Sequence, residues 1–220
     1  MLLIIAVFIA GLIVQAKLDN VFKKYSRVSS PGALTGAQIA EKMLRDNGIY
    51  DVSVISTPGR LTDHYNPKDK TINLSQSVYS ERSVSAAAVA AHETGHAIQD
   101  AESYAPLRLR SALVPVVNIS SMFAQIVIII GILLMEAFPL MFWVGIAMFF
   151  IVFLFSVITL PVEYNASSRA LEWLERSGTM TPEEAKTAAI PLKWAARTYL
   201  VAALSALATL LYYLGFSSRR

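Results

Sequence analysis

Cysteine is absent from the 220-residue chain, which excludes disulfide scaffolds, thiolate metal sites and cysteine nucleophiles. Charge is scarce as well. Asp, Glu, Lys and Arg supply 16% of the residues, against about 25% in an ordinary soluble domain. The charges nearly balance, 19 basic against 16 acidic for a net +3, and no basic stripe interleaved with aromatics is there to track a nucleic acid. Nucleic-acid partners are not expected. Histidine is rarer still, with three residues. What fills the chain is apolar: 55% hydrophobic residues and a mean hydropathy of +0.49. These values exclude a soluble globule and predict a mainly α-helical integral membrane protein.

Four runs are long enough to be read as crossings of roughly 30 Å of hydrocarbon at about 1.5 Å per helical residue. They are 2–16, 112–135, 138–160 and 195–216. The first is short, and Val14-Gln15-Ala16 has the small residues of a signal-peptidase site. No Lys or Arg precedes it, however, while Lys17, Lys23, Lys24 and Arg27 follow, so a retained anchor is expected. The resulting organisation is an anchor over 1–16, a polar arm over 17–111, a transmembrane hairpin over 112–160, a second polar arm over 161–194, and a last transmembrane helix over 195–220. Lys and Arg number twelve in 17–110 and five in 161–197, with none between the second and third runs. Both arms are therefore expected on the cytoplasmic side of a plasma membrane, with the Glu136-Ala137 turn outside. Arg219 and Arg220 run against this rule.

Within the arms, Thr35-Gly-Ala-Gln38 is a capping-box signal for a helix through Ala40, Met43 and Leu44, closed by Asn47-Gly48. Residues 51–56 and 71–75 read as a small hairpin or edge pair, separated by Pro58-Gly59 and Asn66-Pro67. A long alanine-dense helix starts near Ser83 and runs at least to Gln99. Pro161 and Gly178 bracket another helix, Thr181-Pro182-Glu183-Glu184 caps the next, and Pro191 is expected to kink it.

The chemistry concentrates in His92-Glu93-Thr94-Gly95-His96 on the alanine-dense helix. Four residues turn a helix by about 400° and raise it about 6 Å, so both imidazoles leave one face within reach of a single ion. Neutral imidazole suits Zn²⁺. Glu93 lies about 100° around the helix from His92, where it meets a metal-activated water rather than the metal and is the expected general base.

A catalytic zinc site usually takes three protein ligands and keeps a fourth position open, so a third ligand is required. Glu102 is carried roughly 15 Å along the helix from His92 and cannot close the site. His64, in the loop preceding the 71–75 strand, is one candidate. Glu163 is another, delivered to the same side by the transmembrane hairpin and expected at the start of the following helix. A carboxylate there also has a plain role in favouring a helix N-terminus. Glu172 and Glu175 are further competitors on the same segment.

The pieces Leu34-Thr35-Gly36 with Ile39-Ala40, Asp63-His64-Tyr65, Ile72-Asn73-Leu74-Ser75, 90–99 and 161–167 together resemble the bacterial membrane-bound neutral zinc metallopeptidases often called YugP-like. The resemblance covers most of the chain. It implies a zinc-protease domain of the H-E-x-x-H, glutamate-ligand class with a small β edge element, holding one Zn²⁺ per chain. His92, His96 and Glu163 are the implied ligands, similar in outline to the HtpX-like and CAAX prenyl membrane proteases. Those carry E-x-x-A-D, whereas here Glu163-Tyr164-Asn165-Ala166-Ser167 puts serine at the aspartate position. Ser167 and Asn165 remain able to hydrogen-bond a ligand, without the charge that raises imidazole basicity. Arg169 is read as a surface arginine or as a binder of a substrate carbonyl or carboxylate. His64 and Asn73 are further candidates for substrate contact.

The expected function is an integral-membrane zinc endopeptidase acting on a protein or peptide. The strand 71–75 is expected to align an extended substrate by edge pairing. The alternative is a zinc-binding scaffold without turnover, which leaves Glu93 without a purpose and favours four closed ligands. A zinc transporter fits less well, since the His pair lies outside the apolar runs.

Overall fold

The computed structural model describes residues 2–29 and 34–217. Arg219 and Arg220 lie outside the described residues. Among the described residues, four helices are long and apolar enough to cross a membrane: α1 (Leu2–Tyr25), α5 (Ala105–Leu133), α6 (Leu140–Arg176) and α7 (Pro182–Ser217). Large apolar side chains such as Leu2, Phe8, Ile119, Met122 and Leu140 are exposed along them, as in helices whose solvent is lipid rather than water. All four outrun the apolar stretches that announce them. α1 continues through Lys17 and Asp19 to Tyr25, because nothing in Lys17–Tyr25 breaks a helix.

Between α1 and α5 come α2 (Gly36–Asp46), β1 (Ser53–Thr57), β2 (His64–Asn66), β3 (Thr71–Ser75), α3 (Gln76–Tyr79) and α4 (Val84–Ala101). The Thr35 capping box forms with both reciprocal bonds to Gln38. Ile39, Ala40, Met43 and Leu44 bury the apolar face of α2, and Gly48 takes the left-handed φ of +71° that ends it. Thr181 and Glu184 cap α7 in the same reciprocal way.

The sheet corrects the expected hairpin. Its order is β1-β3-β2, with β1 parallel to β3 and Ser53 opposite Thr71. β2 is antiparallel to β3, with His64 opposite Asn73. The segment after β1 is long enough to carry the chain across β3, and β2 then closes the far side. β3 is thus the central strand and not an edge, which its burial explains, since Ile72 and Leu74 are fully enclosed on one face. His64 opens β2 and does not sit in a loop.

A second correction concerns Pro161. It does not begin a helix but lies inside the 37-residue α6. Proline removes one main-chain hydrogen bond there, yet Val162, Ala166, Ala170 and Leu174 are all fully buried. That four-residue spacing is one continuous helical stripe, and its packing keeps the helix intact across the proline. α7 likewise continues through Pro191.

The described residues form two compact units. One gathers residues 15–107 and 162–196, and its core joins Ile39, Met43, Ile72, Leu74, the alanines of α4, Trp173 and Leu174. α4 is buried almost all round, which alanine allows by letting neighbours approach closely.

The other unit contains residues 2–14, 108–161 and 197–217. Here α5 meets α6 at Gly131, where an added Cβ would fall 2.5 Å from the Cα and N of Phe142. Main chain cannot rotate aside as a side chain does. Gly131→Ala is therefore expected to destabilise the detergent-solubilised protein by about 1–3 kcal/mol, read as a lowered unfolding temperature. An unchanged transition would show that the two helices do not need this approach.

Candidate metal centre

His92 and His96 sit one turn apart on α4 with ring centroids 4.8 Å apart. Glu163 of α6 comes between them: its Oε2 is 3.3 Å from His92 Nε2 and 3.7 Å from His96 Nε2. These three side chains form a group able to hold a metal ion, with ligand atoms all within 4.8 Å of one another. Ligands at zinc distances of 2.0–2.1 Å in a tetrahedron stand roughly 3.3 Å apart, so the spacing fits an ion among them. Glu163 is only 2% exposed, and a carboxylate so enclosed needs positive charge beside it. The outer nitrogens fit as well. His92 Nδ1 is 3.1 Å from Ser167 Oγ and His96 Nδ1 is 3.0 Å from Gln99 Oε1, so both rings have their second nitrogen engaged and turn Nε2 inward. Burial disfavours charge on His96, but the carboxylates of Glu163 and Glu93 outweigh it and raise its pKa above the ordinary histidine value.

Glu93 is buried on α4 and outside this group. Its Oε2 accepts a hydrogen bond of 3.1 Å from the Tyr65 main-chain N–H, which fixes where the carboxylate points. The Tyr65 hydroxyl donates to Asp100 at 2.8 Å, and Lys70 Nζ reaches the same carboxylate at 2.7 Å. β2 is thereby tied along two turns of α4, and burial together with Asp100 pushes the Tyr65 pKa up. At the head of β2, Asp63 accepts from Ser75 N at 2.7 Å and Ser75 Oγ at 3.0 Å. Its burial raises its pKa in spite of those bonds.

The other sequence candidates fall outside the group. His64 is exposed, with Nδ1 2.8 Å from the Thr62 carbonyl. Asn73 donates its amide to Thr71 of its own strand. Asn165 Oδ1 accepts from Gln99 and from Arg169, and Arg169 also binds Glu102 at 2.6 Å. Glu172 and Glu175 are exposed. Gln99 and Tyr65 escaped sequence reasoning as contributors. Gln99 carried a usable signal, a glutamine three residues after His96 and so on the same helical face.

The histidines and Glu163 meet because Gly95 has no side chain. An added Cβ would lie 2.7 Å from the Ala166 carbonyl oxygen and 3.1 Å from its Cα, so α4 and α6 touch main chain to main chain beside the site. Gly95→Ala should push the helices apart, weakening zinc binding at least several-fold and lowering the unfolding temperature. Zinc titration of the variant checks this, and retention of full affinity would contradict it.

The family described as "putative neutral zinc metallopeptidase" matches residues 1–218. The chain belongs to this family. A curated relative, the "putative membrane protease YugP" of Bacillus subtilis (strain 168), is 43% identical over 199 residues, covering 90% of this chain and 88% of the relative. No solved structure matches. The four long apolar helices and the relative's name fit a membrane protein, and zinc is the metal that the family description implies for the His-His-Glu group.

Proposed function

We propose that the protein is an integral-membrane zinc endopeptidase whose ligands are His92, His96 and Glu163 and whose general base is Glu93. The observation that carries this reading is the buried Glu163 carboxylate set 3.3 and 3.7 Å from two imidazole nitrogens on the helix that also bears Glu93. The family description and the relative's name as a membrane protease support it. His92, His96 and Glu163 would hold a zinc ion that, when bound, would supply Lewis-acid activation of a water and of the scissile carbonyl. Glu93, oriented by the Tyr65 amide, is the group that would take a proton from the attacking water and return it to the departing amine nitrogen. Ser167 Oγ lies 3.1 Å from His92 Nδ1, leaving the Nε2 of that ring turned inward. The strand beside Glu93 is β2, so alignment of an extended peptide falls to that edge rather than to β3.

Glu93→Gln is expected to keep about one zinc per chain and to lose roughly 10²- to 10⁴-fold in hydrolysis of an unstructured protein. Equal activity in that variant would end the mechanism. Glu163→Ala should lose both zinc and activity while Glu172→Ala loses neither, measured by metal content and the same assay. A zinc-loaded, active Glu163→Ala protein would remove the glutamate from the ligand set.

Both polar arms, 17–111 and 161–194, are assigned to the cytoplasmic side of the bacterial plasma membrane on the asymmetry of Lys and Arg. Because the chain has no cysteine, single cysteines at Lys68, Glu136 and Glu184 report accessibility without background. Impermeant reagent applied to intact cells should label Glu136→Cys and spare Lys68→Cys and Glu184→Cys. Labelling of Lys68→Cys from outside would reverse the orientation.

A further inference from the structure

Gln99 is fully buried, with 0% of its surface exposed, and its amide has three partners. Nε2 donates to the Val162 carbonyl at 2.9 Å and to Asn165 Oδ1 at 2.9 Å, while Oε1 lies 3.0 Å from His96 Nδ1. Which way a glutamine amide points is decided by its partners, and here two of them decide it. A main-chain carbonyl can only accept, so the nitrogen faces Val162. Asn165 Oδ1 is fixed as an acceptor in turn, since Arg169 Nε, which can only donate, reaches the same oxygen at 2.8 Å. The oxygen of Gln99 is therefore left facing His96. An acceptor there requires the ring proton on Nδ1, and a neutral imidazole then has its lone pair on Nε2, toward Glu163.

We propose that Gln99 is a positioning residue for the metal centre, locking His96 in the tautomer that ligates through Nε2 and tying α4 to the residue before Glu163. The inference rests on the zinc reading above. A ligating histidine needs an outer partner that fixes its tautomer, and that partner is often a carboxylate. Here it is a neutral amide, and the charges stand further out, where Arg169 binds both Asn165 and Glu102. One side chain thus sets two things: the ring nitrogen offered to the metal and the separation between the helix of the histidines and the helix of Glu163. Neither role is served by a side chain that merely fills the same volume.

The test uses the full chain in detergent, with zinc dissociation constants from competition against a chromophoric chelator and d–d absorption of the cobalt-loaded protein. Gln99→Met keeps nearly the same volume and removes all three hydrogen bonds. With helicity unchanged, it should bind zinc roughly 10- to 100-fold more weakly and shift the cobalt bands. Gln99→Asn, used should the methionine variant fail to fold, keeps an amide too short to span Val162 and His96 and should show the same loss. A folded variant with wild-type zinc affinity and cobalt spectrum would overturn the role of Gln99 while leaving the zinc reading standing. A wild-type protein that binds no zinc would overturn both.

Discussion

A metal centre of this type requires ligand atoms from separate helices to stand within a few tenths of an ångström of their places. The contact that makes this attainable is the approach of Gly95 to the main chain of Ala166. Two helices touching through backbone have no flexible side chain between them to take up error, so the separation is set by hard-sphere contact. His92 and His96 flank that contact on α4, and Glu163 lies about one turn before Ala166 on α6. The alanines of α4 and the fully buried Val162, Ala166 and Ala170 of α6 extend the same principle along both helices. Small side chains in the core serve a polar purpose, bringing together three side chains able to hold a metal ion.

Burial of α4 on almost every side creates a second demand. Its enclosed polar groups must each find a partner or cost about 1–3 kcal/mol. Thr94 returns its hydroxyl to the Ala90 carbonyl at 2.8 Å, Glu93 receives the Tyr65 amide, and Gln99 donates its amide nitrogen across to α6 while its oxygen faces His96 on α4. These bonds are directional where apolar packing is not. A slide of α6 by one residue would break the links from Gln99 to Val162 and Asn165 and from Ser167 to His92 together. The network therefore specifies register, while the apolar stripe supplies cohesion.

Local signals in the sequence are legible where they depend only on neighbours in the chain. The capping boxes at Thr35 and Thr181, the alanine-dense helix opened by Ser83, and the apolar runs all form as their spacing implies. A local rule gives way where it meets a stronger distant interaction. Pro161 is a sound start signal for a helix, yet α6 runs straight through it and buries Val162, Ala166, Ala170 and Leu174 on the far side. Thr71–Ser75 has the composition of a strand, but nothing in it says whether one neighbour or two will pair with it, and the crossover to β2 made it central.

Composition and helical period alone fix that the chain is apolar enough for a bilayer, that any metal site must do without thiolate, and that His92 and His96 project from one helical face. These follow from composition and from a period of 3.6 residues, which need no knowledge of the rest of the chain. Tertiary packing is what buries Glu163, the carboxylate the resemblance implies, between the two histidines and sets Gln99 against His96 and Tyr65 against Glu93. Glu163, Glu172 and Glu175 are alike as sequence, and one helix carries all three. Glu163 is distinguished because the turn of α6 that packs against Gly95 buries it, while the other two face outward. That packing is a property of two segments remote in the chain, and no local period encodes it.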